Sequence, residues 1–117
     1  MLLNYNNRIF RSVSNSRTGE VSVETVFRYS QKGTLVRGVY SGGEIVYGTL
    51  IARCDENGRL DMRYQHLNKE GELKTGVCVS TPEILDDGRV RLHERWRWTC
   101  DERDSGESVI EEIDTQA

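Results

Sequence analysis

Between residues 24 and 98, apolar and polar side chains take turns in run after run. The clearest case is Val90-Arg91-Leu92-His93-Glu94-Arg95-Trp96-Arg97-Trp98, where Arg or His fills every second place and Glu94 alone interrupts the apolar set. Leu60, Met62, Tyr64 and His66 alternate with Asp61, Arg63 and Gln65 in the same way. A period of two marks a strand with one buried face. No long segment keeps the i, i+3, i+4 spacing of a helix, and β-branched and aromatic residues dominate. The runs are broken at Gln31-Lys32-Gly33, Ser41-Gly42-Gly43, Asp55-Glu56-Asn57-Gly58, Asn68-Lys69-Glu70-Gly71 and Asp86-Asp87-Gly88. Each break places Gly, Asn or Asp where a hairpin needs positive φ. The spacing predicts about eight strands, at 8–13, 24–30, 35–41, 44–54, 59–67, 73–81, 89–99 and 108–113. No connection has room for the crossover of a dozen residues that parallel pairing needs. The expected fold is all-β, a single antiparallel up-and-down meander closing into a small barrel.

Closing each turn on its nearest flanking residues sets a register. Ser41 then faces Glu44, Cys54 faces Arg59, Leu67 faces Glu72, and Leu85 faces Gly88. Carried along the meander, these pairings put Phe27, Tyr29, Tyr40, Tyr47, Thr49 and Ile51 on one face. Tyr64, His66, Leu73, Thr75, Val77 and Val79 continue it, and Glu94, Trp96 and Trp98 complete it, with Arg53 in the same register. Arg89, Arg91, His93, Arg95 and Arg97 take the other side. A slip of one residue would bury all five, so this contrast tells inside from outside. Val46, Leu50 and Ala52 then point outward. They need cover, either from a helix or terminal segment or from a second copy in a homodimer.

Length and charge narrow the classes. With 117 residues the chain reads as one domain, 1–117, with 114–117 as a disordered tail. A net charge of −3 argues against nucleic acid and anionic membranes as partners. There is no apolar run long enough for a membrane span and no secretory leader pattern at the start, so the expected location is the cytoplasm. Cys54, Cys78 and Cys100 are odd in number and lack C-x-x-C spacing, which reads as reduced thiols. His66 and His93 fall on opposite faces, so no metal site is expected. Tyr40-Ser41-Gly42-Gly43 is a turn and not a phosphate loop, and no cofactor is expected.

The inward face carries the candidate chemistry. Tyr40, Tyr47, Tyr64, Trp96 and Trp98 form aromatic walls. Such walls suit a small, partly apolar ligand, or equally a filled core. Glu94 needs a cation or several donors to stay charged among apolar neighbours, and Arg53 is the candidate partner. His66 and Glu94 are the candidate acid/base pair if the barrel is an enzyme. The outward arginines of the seventh strand are expected to pair with carboxylates such as Glu111 and Glu112 if the eighth strand lies beside it.

Several stretches resemble a family of short bacterial proteins often labelled N-acetylglutamate synthase. They include Ser22-Val23-Glu24-Thr25-Val26-Phe27, Tyr40-Ser41-Gly42-Gly43, Asp61-Met62-Arg63-Tyr64-Gln65-His66-Leu67-Asn68, Gly71-Glu72-Leu73-Lys74-Thr75-Gly76-Val77-Cys78 and Arg91-Leu92-His93-Glu94-Arg95-Trp96-Arg97-Trp98-Thr99. The resemblance runs from Asn4 to Ile113. It implies a lipocalin-like or avidin-like small β-barrel, and an acetyltransferase activity as the alternative to ligand binding.

Overall fold

The computed structural model describes residues 3–16, 19–100 and 104–113. The expected tail at 114–117 lies outside the described residues. Eight antiparallel strands follow one another: β1 (Ile9–Asn15), β2 (Val26–Lys32), β3 (Leu35–Gly42), β4 (Ile45–Cys54), β5 (Leu60–Asn68), β6 (Leu73–Ile84), β7 (Val90–Trp98) and β8 (Ser105–Glu112). Each pairs with the next, and β8 pairs back onto β1 to close the barrel. The predicted architecture is therefore the one observed.

The faces of β2, β3, β5 and β7 are also as expected. Phe27, Tyr29, Tyr40, Met62, Leu92 and Trp96 are buried, while Arg95 and Arg97 meet solvent. Carboxylates on β8 and on the 83–87 segment neutralise the outer rim. Glu111 bonds Arg89 at 3.1 Å and Arg91 at 3.0 Å, and Glu83 accepts from His93 at 2.8 Å. Glu112 goes to Arg8 instead, at 2.7 Å.

β4 and β6 are turned over relative to the expectation. Tyr47 and Ile51 are more than half exposed, at 57% and 54%, and Arg53 pairs with Asp61 on the outer surface. Leu50 and Ala52 are buried, so of the proposed dimer patch only Val46 faces out. On β6, Leu73, Thr75 and Val79 are exposed, while Gly76, Cys78 and Ser80 are buried.

The cause is a shared turn geometry. At 55–59, 68–72 and 85–89 the first residue's N–H bonds the fifth residue's carbonyl, and the glycine N–H bonds back to the first carbonyl. Gly58, Gly71 and Gly88 have φ between 81° and 89° and sit outside the ladder as bulge residues. Pairing thus runs from Cys54 to Leu60, Leu67 to Leu73 and Ile84 to Val90. Counting each glycine as a paired residue shifts every one of these hairpins by one place. Two successive shifts cancel, which is why β7 still comes out correctly. At the start of β4 the register slips twice, against β3 between Tyr40 and Gly42 and against β5 between Ile45 and Tyr47. Ile45 therefore stays inside while β4 beyond it is reversed.

Size complementarity holds this register in place. Tyr40 on β3 faces Gly48 on β4, Tyr64 on β5 faces Gly76 on β6, and Trp96 on β7 faces Gly106 on β8. A Cβ at Gly48 would lie 2.4 Å from the Tyr40 ring, and one at Gly76 would lie 2.2 Å from Tyr64. Each ring occupies the space a side chain on its neighbour would need. Leu50→Ala should therefore cost about 2–5 kcal/mol as a core truncation, whereas Ile51→Thr should stay within about 0.5 kcal/mol as a surface change. Urea midpoints of the two variants test this order, and the reverse order would restore the original phasing of β4.

Candidate functional site

The two ends of the barrel are filled differently. One end is plugged by the segment before β1. Tyr5 is fully buried there, donates its hydroxyl to the Gly58 carbonyl, and lies with Phe10 against Tyr29. Val36, Leu60, Val90, Leu92 and Ile110 pack this end with no exposure. The other end is lined by aromatic and polar residues and is not full. Its cavity is small, about 50 Å³, and is open at the mouth.

Tyr40, Tyr64, Trp96 and Trp98 form the wall of this cavity. Trp98 stands 5.5 Å from Trp96 and 5.8 Å from Tyr64, ring centre to ring centre. The Trp96 indole N–H donates to Asn15 Oδ1 at 3.1 Å, which orients that ring. Of the predicted ligand contacts, the barrel brings together Tyr40, Tyr64, His66, Glu94, Trp96 and Trp98. It places Tyr47 and Arg53 on the outside.

Glu94 keeps its expected inward place, but Arg53 is not its partner. Two hydroxyls hold it instead. Ser80 Oγ donates to Oε2 at 2.9 Å and Ser108 Oγ to Oε1 at 3.1 Å. It is half-buried and lines the cavity. Removal from bulk water pushes the carboxyl up to about 7, and the serine hydroxyls pull it back only in part. Beside it, the hydroxyl of Tyr29 is buried and has no hydrogen-bond partner among the described residues. Burial raises the Tyr29 phenol well above its ordinary value, and the nearby Glu94 adds to that.

His66 closes the mouth. The segment between β1 and β2 folds inward, so that Glu20 and Val21 line the cavity. Glu20 accepts from His66 Nε2 at 2.7 Å and from Asn68 Nδ2 at 2.9 Å. On the other side of the ring, Nδ1 lies 3.0 Å from the Tyr40 hydroxyl, which also reaches the Gln65 carbonyl at 3.3 Å. Both imidazole nitrogens are thereby engaged. Asn15 Nδ2 donates to the Val21 carbonyl at 3.0 Å and fastens the same loop.

Ser80, Ser108, Tyr29, Glu20 and Asn15 were not singled out in the sequence as site residues. The serines are short polar residues on strands whose phase depended on the turns. Glu20 arrives from a connection with no periodicity to place it.

A family model described as avidin-like protein matches residues 3–113. The chain belongs to the avidin-like family. No curated protein and no solved structure matches it. The N-acetylglutamate synthase label finds no support in this match. An acetyltransferase of the common type holds the acetyl-CoA pyrophosphate on a glycine loop that opens a helix, and the described residues of this avidin-like barrel contain no helix.

The buried carboxyl makes stability depend on pH. At pH 4 Glu94 is protonated in the folded chain and mostly so in the unfolded one. As pH rises, the unfolded chain ionises first, so the folded barrel loses stability until Glu94 itself ionises near pH 7. The deficit above that point is roughly 3 kcal/mol at most. Glu94→Gln should match the parent protein at pH 4 and exceed it in urea midpoint at pH 8. Equal midpoints at pH 8 would show that the carboxylate is solvated.

Proposed function

We propose that this avidin-like barrel binds a small, partly apolar molecule in its mouth half. The observation that carries this reading is the unfilled cavity, with a carboxylate and an unpartnered phenol at its inner end. A core built only for stability gains nothing from burying a Tyr hydroxyl without a partner. A bound molecule supplies that partner, and the ring faces of Tyr64, Trp96 and Trp98 cover its apolar part. Membership of the avidin-like family is consistent with this reading.

An acid/base reaction between His66 and Glu94 is the weaker alternative. Both groups border the cavity, but Tyr40 and Glu20 occupy the two imidazole nitrogens. Only Glu94 is left with room to exchange a proton with a guest.

Both tryptophans of the chain line the cavity, so intrinsic fluorescence reports directly on its occupancy. A thermal-shift screen against small metabolites should find compounds that raise the Tm and also change tryptophan emission. Their affinity should fall at least tenfold in Glu94→Gln and measurably in Tyr64→Phe. Stabilising compounds that leave emission and both variants unaffected would place binding elsewhere and sink the proposal.

A further inference from the structure

Resting on the binding reading above, we infer the charge of the guest: the cavity takes a small organic cation, an alkylammonium-like group with its hydrocarbon against the aromatic wall. The cavity lining is more acidic than basic. Glu20 and Glu94 border the cavity, and His66 is the basic side chain among its lining residues. No Lys or Arg among the described residues lines it. Each Glu94 oxygen accepts one serine hydroxyl, which leaves lone-pair capacity on both. The unpartnered Tyr29 oxygen is a further acceptor. An ammonium has three N–H donors to distribute over such a set. A guest carboxylate would bring a second anion beside Glu94, with no Lys or Arg among the lining residues to offset it.

The apolar surroundings favour the same sign. Faces of Tyr and Trp attract cations, more strongly where water is excluded. Trp98 already does so at the rim, where the Lys74 ammonium sits 5.4 Å from its ring centroid. The space is small. At about 50 Å³ it suits a guest of only a few non-hydrogen atoms.

Among the buried groups around it whose pKa values burial raises, Glu94 is the one that gains charge near neutrality. Tyr5, Tyr29 on β2, Tyr40 on β3, Tyr64 on β5 and Cys78 on β6 all have raised pKa values through burial and stay neutral. Glu20 and His66 pair with each other at the mouth. Affinity for an ammonium should therefore rise between pH 6 and pH 8.

Propylammonium chloride, 1-propanol and sodium propionate, matched in size and titrated at constant ionic strength, test the inference through tryptophan fluorescence. Propylammonium should bind at least tenfold more tightly than either of the others at pH 8. That preference should weaken at pH 6 and vanish in Glu94→Gln, whose folding is checked by its urea midpoint. Equal or tighter binding of propionate or propanol overturns the cation inference and leaves the cavity reading standing. Retention of the preference in Glu94→Gln overturns the role given to the carboxylate. Silence from all three probes overturns both readings.

Discussion

The fit of a large ring over a missing side chain is the constraint on which the rest of this barrel depends. Tyr40, Tyr64 and Trp96 project from β3, β5 and β7, and the strand that follows each presents a glycine directly opposite. Cys78, Ser80 and Ser108 extend the row of small residues on β6 and β8. An eight-stranded barrel has room inside for little more than its own side chains. Rings from every strand would overfill it, and small residues from every strand would leave it hollow. Alternating the two from strand to strand fills most of the interior and sets one register at a time.

The same alternation creates the site. Where small residues face large ones unevenly, space is left over, and it is left beside Glu94. The serines that make this room on β6 and β8 also supply the hydroxyls that hold the carboxylate. A carboxyl tied by two neutral donors, with no cation beside it, is kept near the pH at which its charge changes. Packing and chemistry at this position thus come from the same residues.

At the mouth, a chain of hydrogen bonds joins the wall to the loop. Tyr40, His66 and Glu20 are linked in that order, and Asn68 reinforces the last step. The chain crosses from β3 to β5 and then to the segment between β1 and β2, elements distant in sequence. It resembles an acid/base relay in its residue types. Burial raises the Tyr40 phenol rather than activating it, however, so the arrangement works as a tether.

Much of the fold was legible in the chain itself. Strand number, antiparallel order and the inward faces of β5 and β7 follow from alternation, because burying Arg91, Arg95 or Arg97 has no compensation. The inward placing of Glu94, His66, Tyr64, Trp96 and Trp98 was legible for the same reason. β4 and β6 were not, because both of their faces carry apolar residues: Tyr47, Ile51, Val77 and Val79 are as oily as Leu50 or Cys78. Hydrophobicity cannot choose between such faces. The choice was made by three glycines that step out of the ladder and by the volume of rings on the neighbouring strands. Both are properties of paired strands, and they exist only once the sheet has closed.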